Sequence, residues 1–337
     1  MAGPGIRATY LARELGKHFP TQLVSRETPA ARRILSEASV LIGQPHRGFR
    51  KRRGQRIVYD LFDPLVLELR ELYGARPALR QNIHLAAEWF RLRYALSNAD
   101  LLMCATPQQR EWYESMQTND TPWIEVPFGV DMLEVKRCAP AKDNIVVWGG
   151  GVWEWLDPVT AIDAVVKLNH EGLRCRLLFM GRARPNPHAV DRSRETRFDA
   201  MLARGVPYVA ANAEWVPYKE RLSWLRSGKI AMMLHRPTAE ARHSIRTRLF
   251  DALAAGVPVV ATEEGFAADL VHREGLGIVV PAQDVDAVAR SVRKLLTDDS
   301  FYAQCVQNLE RIRPRFAWEV VTRPLVDAVK EWQKQGD

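Results

Sequence analysis

The fold is decided by the stretch Ile145-Val-Val-Trp-Gly-Gly-Gly-Val-Trp-Glu-Trp-Leu-Asp-Pro158 and by the residues that follow it. Four apolar residues that end at three glycines are typical of a short buried strand. From residue 158 to residue 170, apolar residues recur at spacings of three and four, and Pro158 occupies the first turn, which predicts a helix. A strand, a glycine turn and a helix in succession form the repeating unit of a parallel α/β sheet.

The same alternation continues through the C-terminal half. Predicted strands cover residues 174–180, 208–215, 230–235, 257–262 and 277–281, and predicted helices cover residues 218–227, 245–255 and 285–296. Strands that alternate with helices predict a doubly wound parallel sheet with both faces covered.

The N-terminal half has a weaker but similar pattern. Predicted helices cover residues 6–19, 79–96 and 108–117, and predicted strands cover residues 21–24, 40–42, 57–59, 101–104 and 124–126. Residues 138–144 contain Pro140 and several small residues, as a linker between two domains would. We therefore expect an N-terminal domain at 1–140, a C-terminal domain at 141–317, and a terminal helix at 318–337 that packs back on the N-terminal domain.

Composition limits the class of protein. The 337 residues correspond to about two domains, and 47% of them are apolar, which is enough for two cores. No apolar run reaches the ~18–20 residues of a transmembrane helix. Four widely spaced cysteines argue against a disulfide scaffold and a zinc ribbon, so we expect a reducing, cytoplasmic environment. The histidines have no metal-ligand spacing, so no metal site is predicted.

The formal charge of +8 suits an anionic partner. Neither half has the pervasive basic face of a nucleic-acid binder, so no nucleic-acid partner is expected. The densest basic segment is Arg47–Arg56. It is either a solvated loop or a contact for anionic lipid headgroups or a phosphorylated acceptor.

The glycine loop Gly149, Gly150 and Gly151 is the first candidate ligand site. Glycines allow a backbone to approach a ligand closely, and a helix begins nearby with its positive dipole end. The loop is therefore either a cradle for a phosphate or a sugar, or a tight turn that binds nothing.

A second candidate lies at the start of the helix predicted for residues 245–255. Ser244 stands where an N-cap is expected, and Arg246 and Arg248 follow in the first turn. Cations there oppose the helix dipole unless an anion lies between them and the helix end, and two arginines would hold a diphosphate well. Asp251 could accept hydrogen bonds from ribose hydroxyls. The alternative is that the arginines are solvated or pair with Glu240, Glu263 or Glu264.

Two further features are candidates for the same site. The segment Trp215-Val216-Pro-Tyr218 follows a strand and is either a nucleobase site or a hydrophobic loop. His235 ends a predicted strand close to the arginine-rich segment, and it is either a functional histidine or a packed one.

Together, these strings resemble the family 4 (group 1) retaining glycosyltransferases of the GT-B fold, which have two Rossmann-like domains that face each other across a cleft. The resemblance spans roughly residues 145–281. It rests on Trp148-Gly-Gly-Gly151, Pro185-Asn-Pro187, Trp215–Tyr218, Ser244–Asp251 and Ala255-Gly-Val-Pro258. In the N-terminal half, Gly3-Pro-Gly-Ile-Arg7, Tyr59–Pro64 and Val126-Pro-Phe-Gly129 are also similar.

The resemblance implies transfer of a sugar, with retention of configuration, from a nucleotide-sugar to a glycan or lipid-linked acceptor, in the synthesis of a cell-surface polysaccharide or glycolipid. It implies no metal and no other cofactor, because a helix dipole and basic side chains stabilise the leaving diphosphate. The implied catalytic residues are Glu240, Arg246, Arg248 and Asp60. The implied donor-binding residues are Gly149, Gly150, Gly151, Arg182, Trp215, Val216, Tyr218, His235, Ser244, Thr247 and Asp251, and those on the acceptor side are Gly3, Gly5 and Arg7, in a glycine loop.

The sequence departs from the family pattern in several places. His243 and Asp251 stand where the family has two glutamates, and the arginine and lysine of the first C-domain loop have no match. Family members usually place a strand before the N-terminal glycine loop, so we expect the N-terminal sheet to lack its first strand. The alternatives to a glycosyltransferase are a non-catalytic nucleotide- or glycan-binding relative, and another GT-B enzyme such as an epimerase or a phosphorylase.

Overall fold

The computed structural model describes residues 3–25, 28–46, 49–135, 143–153, 155–181 and 192–336. Contacts between Cα atoms divide the chain into two compact units. Unit 1 comprises residues 1–129, 243–245 and 315–337, and unit 2 comprises residues 130–242 and 246–314. The boundary predicted at residues 140 and 141 lies outside the described residues.

Unit 1 is built around a parallel sheet of four strands in the described residues, in the order β1-β2-β3-β4. Its elements as far as residue 125 are α1 (Gly3–Leu15), α2 (Ala31–Glu37), β1 (Val40–Gly43), β2 (Arg56–Asp60), α3 (Leu65–Tyr73), α4 (Leu79–Asn98), β3 (Leu101–Cys104), α5 (Pro107–Glu114) and β4 (Trp123–Glu125). The core of this unit forms where the strand residues Ile57, Tyr59 and Leu102 pack with Leu92 and Leu96 of α4.

Unit 2 contains the longer sheet, which is also parallel. Its elements are β5 (Ile145–Trp148), α6 (Pro158–His170), β6 (Arg176–Phe179), α7 (Arg192–Ala203), β7 (Val209–Ala211), α8 (Arg221–Arg226), β8 (Ile230–Met233), α9 (Ala239–His243), α10 (Thr247–Ala255), β9 (Val259–Thr262), α11 (Gly265–Glu274), β10 (Gly277–Val280), α12 (Val285–Thr297) and α13 (Asp299–Ile312). The last residue of α9, His243, is assigned to unit 1. The chain ends with α14 (Trp318–Val321) and α15 (Arg323–Gly336), which belong to unit 1.

The strand order in unit 2 is β10-β9-β8-β5-β6-β7 within the described residues. Buried residues of β5 and β6 pack against α6 and α12, and these elements contribute Val146, Phe179, Ile162 and Val292 to one core cluster. The observed parallel α/β sheets confirm the predicted fold class.

Most predicted elements are present, and α6 has the predicted bounds. The strand predicted for residues 21–24 is wrong, because these residues have no regular secondary structure and pair with no strand of the described chain, and Leu23 is exposed. The N-terminal glycine loop is also wrong. Gly3 and Gly5 lie in the first turn of α1, where Pro4 is well suited, and no strand precedes α1 in the described residues.

Candidate active site

The candidate site lies in unit 2, at the carboxyl ends of β5 and β8. These strands are neighbours in the sheet, but the chain leaves β5 toward β6 on one side and leaves β8 toward β9 on the other. This change of direction is a topological switch point, where ligands bind in open α/β sheets. The glycine loop follows β5, and the arginine-rich segment that leads into α10 follows β8.

The glycine loop lies against an aromatic ring. Gly150 has a φ of +76°, a conformation that favours glycine. A Cβ atom on Gly151 would lie 3.3 Å from the Trp215 ring, and one on Gly181 would lie 3.4 Å from it. Trp215 therefore packs directly on two glycine backbones and is still 40% exposed, so part of its indole is open to a ligand.

Arg248 approaches the same loop from α10. Its Nη2 donates a hydrogen bond to the Gly151 carbonyl oxygen, and its guanidinium carbon lies 5.4 Å from the centre of the Trp148 ring. Its Nη1 is buried and has no hydrogen-bond partner among the described residues. Burial, together with repulsion from Arg246, lowers the pKa of Arg248 to about 9. The charge of Arg248 is therefore poorly compensated where it stands.

Arg246 differs from its neighbour because it has a carboxylate partner. Its Nη1 and Nη2 donate hydrogen bonds of 2.8 and 2.7 Å to the two carboxylate oxygens of Glu240. Glu240 is 1% exposed and Arg246 is 8% exposed, so the pair is buried. The structure thus supports the pairing alternative for Arg246, and Glu240, predicted to be catalytic, is engaged in an ion pair.

The N-terminus of α10 has no side-chain cap. The prediction that Ser244 caps this helix is wrong, because α10 begins at Thr247 and its N-cap residue is Arg246. Ser244 belongs to the short segment 243–245 that packs in unit 1, which explains why the helix starts later than its sequence pattern suggested. The N-terminus of α6 differs, since Asp157 accepts a hydrogen bond from the Thr160 amide there. Of these two helix ends, α10 is the better place for an anion.

Asp251 lies on α10 and is held by Arg221. Arg221 Nε donates a 2.8 Å hydrogen bond to Asp251 Oδ1, and Arg221 Nη2 donates one of 2.6 Å to Glu134. The Arg221 guanidinium carbon lies 3.5 Å from the centre of the Tyr218 ring. Burial raises the pKa of Asp251, and Arg221 opposes that rise. Tyr218 and Asp251, both predicted to bind the donor, are therefore joined through Arg221.

Of the other residues predicted to bind the donor, three lie within the described part of the chain. His235 is buried, and burial together with Arg246 lowers its pKa to about 4, so it is neutral near pH 7. The side chain of Val216 is also buried, which leaves its backbone as the part that could contact a ligand. Thr247 is the first residue of α10. Arg182 lies outside the described residues.

The predicted residues of unit 1 pair with one another. Arg7 donates hydrogen bonds of 2.7 and 3.1 Å to Asp60, and a third of 3.1 Å to the Pro127 carbonyl oxygen. Arg7 is 1% exposed and Asp60 is 6% exposed. The pairing and burial weigh against direct contact of either residue with a substrate, and the catalytic role of Asp60 stays a prediction.

His243, which replaces the first family glutamate, is also part of unit 1. Its ring stacks on Trp112 with the ring centres 5.5 Å apart. Its Nδ1 lies 3.1 Å from the Gln108 carbonyl oxygen. This histidine therefore has a packing role that an acidic side chain could not fill.

The described residues contain neither a metal-binding cluster nor a membrane-spanning helix. Within the described ranges, no group of three or more His, Cys, Asp or Glu residues could hold a metal ion. No helix in this part of the chain is both long enough and apolar enough to cross a bilayer.

Sequence reasoning missed Arg221, Glu134 and Gly181. Arg221 and Glu134 are 87 residues apart, so no local pattern could have joined them. Gly181 directly follows the strand predicted for residues 174–180. A glycine at such a position can indicate that another group packs closely against the backbone.

Part of unit 2 is similar to a known protein family. Residues 143–298 match the family model described as Glycosyl transferases group 1. A GDP-mannose-dependent alpha-(1-6)-phosphatidylinositol monomannoside mannosyltransferase of Mycobacterium tuberculosis is 35% identical over 81 residues, which are 24% of this chain and 21% of that protein. The chain thus matches about a fifth of the length of this relative.

Solved structures show the fold over a larger part of the chain. Sucrose-phosphate synthase from Thermosynechococcus elongatus has a TM-score of 0.70 at 16% identity, covering 94% of this chain and 82% of that one. Anabaena HepE in complex with UDP-glucose has a TM-score of 0.63 at 14% identity, covering 82% of this chain and 72% of that one. These neighbours have the GT-B fold, and at such identities the likeness shows the fold alone.

Proposed function

We propose that this chain, whose residues 143–298 match the group 1 glycosyl transferase model, moves a sugar from a nucleotide-sugar donor to an acceptor hydroxyl with retention of configuration and without a metal. The observation that carries the proposal is the arrangement around Arg248. A half-buried cation with a poorly compensated charge, whose Nη1 atom is buried without a hydrogen-bond partner among the described residues, lies beside a glycine loop and at the uncapped N-terminus of α10. This arrangement suits an anion such as the diphosphate of the donor.

In the proposed reaction, the bond between the anomeric carbon and the diphosphate oxygen breaks, and its electron pair leaves with the diphosphate. The acceptor oxygen forms the new bond on the same face of the sugar, and its proton passes to the leaving diphosphate. Arg248 and the amide groups at the start of α10 stabilise the negative charge that develops on the leaving group. The ion pair with Glu240 gives Arg246 a structural role in this proposal.

The nucleoside has a separate set of contacts in this proposal. The exposed part of the Trp215 indole offers a surface for base stacking, and the backbone of Val216 offers polar groups to a base edge. Asp251 is oriented by Arg221, so its carboxylate can accept hydrogen bonds from ribose hydroxyls. The nucleotide-sugar donor is also supported by Anabaena HepE, a structural neighbour that was crystallised with UDP-glucose.

For the acceptor, we propose a glycan or a lipid-linked glycan used in a cell-surface polysaccharide or glycolipid. The name of the mycobacterial relative describes a mannosyltransferase that acts on a phosphatidylinositol monomannoside. Within the basic segment, Lys51 and Arg56 pair with Asp100, while Arg50 lies over the Tyr94 ring. Arg52 and Arg53 are exposed there and leave a cationic surface for an anionic membrane. The location we propose is cytoplasmic and peripheral at the inner membrane face.

Calorimetry against UDP, GDP, TDP and ADP tests the donor site, and binding of at least one nucleotide is expected. If none binds at millimolar concentration, the donor-site proposal is contradicted. The matching nucleotide-sugars, labelled in the sugar, are then incubated with candidate glycan acceptors in the presence of EDTA. NMR of the product reports the anomeric configuration. Donor binding without transfer or hydrolysis would instead favour a non-catalytic relative, and a rearranged sugar would favour an epimerase.

A further inference from the structure

Helix α4 carries a stripe of apolar side chains on its solvent side. Leu79 is 76% exposed, Ile83 is 61% exposed and Phe90 is 64% exposed, and Ala86 is exposed between them. Because a helix advances about 100° per residue, these four residues fall within an arc of about 60°. The stripe is therefore one continuous face rather than scattered exposed residues.

The opposite side of α4 already has a partner. Leu92, Ala95 and Leu96 are buried in the core of unit 1. Glu88, the one acidic residue in the α4 sequence, is also on this buried side and pairs with Arg91. Helix α4 thus has two apolar faces, and only one of them is covered by the residues that the structure describes.

Cationic side chains flank the exposed stripe. Arg80 and Arg93 are exposed on α4 itself. A cavity of about 260 Å³ opens beside the stripe, and Phe90, Arg91, Tyr94 and Arg50 are among the residues that line it. Arg50 comes from the basic loop, and its guanidinium carbon lies 4.6 Å from the centre of the Tyr94 ring. The cavity therefore brings the basic loop next to the apolar stripe.

We propose that the solvent face of α4, formed by Leu79, Ile83, Ala86 and Phe90 and flanked by Arg80 and Arg93, docks on an anionic phospholipid bilayer. An apolar stripe with cations at its edges is the pattern of a helix that lies in the membrane interface, where apolar burial and attraction to anionic headgroups act together. Such docking does not depend on the proposed sugar transfer. A second copy of this chain fits less well, because a two-fold interface would bring the arginines of both copies together.

Sedimentation of the full chain with vesicles tests the docking. Binding is expected to vesicles of phosphatidylcholine with about one-third phosphatidylglycerol, to weaken with added salt, and to be lost with phosphatidylcholine alone. The variant L79Q/I83Q/F90Q should bind anionic vesicles at least about tenfold more weakly. The control L133Q removes an 88% exposed leucine in unit 2 and should bind like wild type.

A second variant, R80Q/R93Q, separates charge from apolar contact. It leaves the stripe intact and should weaken binding roughly fivefold for each charge removed. Thermal unfolding of every variant checks that the fold is retained. Wild-type binding by the folded triple variant would overturn the proposal. The proposal would also be overturned if sedimentation velocity showed a dimer for the wild type and a monomer for the triple variant. That result would mean that this face of α4 binds a second copy of the chain.

Discussion

Arg7 in unit 1 and Arg248 in unit 2 are both arginines at the carboxyl end of a parallel sheet, but their surroundings differ. Arg7 is matched by the Asp60 carboxylate and by the Pro127 carbonyl oxygen, and its guanidinium carbon lies 4.7 Å from the centre of the Phe62 ring. Arg248 donates to a single carbonyl oxygen and leaves Nη1 without a partner among the described residues. A buried charge is costly unless it is paired, so the matched arginine fits a structural role and the unmatched one fits a ligand.

The contrast between the two arginines would be wrong if Arg7 were dispensable for the stability of the protein. The substitution Arg7→Met leaves the Asp60 carboxylate buried without a partner, and we expect a loss of about 3–5 kcal/mol in the free energy of unfolding, measured by urea denaturation. The double variant R7M/D60L should recover most of the loss. Arg56→Gln removes an exposed ion pair and should cost at most about 1 kcal/mol. A loss for R7M no larger than that of R56Q would show that the pair is not structural.

Arg248 should give the opposite result. We expect Arg248→Met to weaken nucleoside diphosphate binding by about 1.5–3 kcal/mol, because a charge-assisted contact is lost, with no loss of protein stability. Calorimetry and thermal unfolding measure the two effects. The control Arg242→Gln changes an arginine 61% exposed in its side chain that pairs with Glu264, and it should change neither quantity. Unchanged affinity in R248M would remove the proposed diphosphate contact.

The pH dependence of nucleotide binding is a further test of the role proposed for Arg248. The pKa of Arg248 is lowered to about 9, and the protonated form is the one that attracts an anion. Affinity for the diphosphate should therefore fall as the pH rises through that value, approaching tenfold for each further pH unit. Titrations in buffers of different ionisation enthalpy should show proton uptake on binding near pH 9. The R248M variant should lack both effects, and their persistence there would assign them to another group.

The smallest expected effect concerns Arg221, which we infer to position Asp251. Arg221→Gln should reduce the preference for UDP over 2′-deoxy-UDP by about 1 kcal/mol, because Asp251 loses the partner that orients it toward the ribose. An equal loss for both nucleotides would indicate a purely structural role for Arg221. The control Arg204→Gln removes the exposed pair with Asp163 and should preserve the ribose preference.

Much of unit 2 was predictable because its signals are local. The apolar run before Gly149 predicted β5, and the apolar periodicity after Pro158 predicted α6. The positions of the later strands along the chain followed from the same alternation of strands and helices. The strand predicted for residues 21–24 is wrong for a physical reason, since a strand needs a neighbour and none pairs with it. Helices α2, α3, α7, α9, α11 and α13 were not predicted.

The candidate site was only partly predictable. The sequence placed Arg246 and Arg248 at a helix start and left open whether they bind an anion or pair with a carboxylate. The structure supports pairing for Arg246, with Glu240 six residues earlier, and leaves Arg248 as the proposed anion contact. It also shows that Gly151 and Gly181 make room for Trp215, a contact that no motif indicated.

The sequence by itself determined the alternation of strands and helices in most of unit 2, the position of the glycine loop that follows β5 and the excess of basic residues. These features follow from backbone preferences and apolar periodicity, which act over a few neighbouring residues. Only the tertiary structure decided which charges are compensated, that Arg221 reaches Glu134 and Asp251, and that one face of α4 is left exposed. Those outcomes depend on which groups meet in space, and residues far apart in the chain share one dielectric environment only after folding.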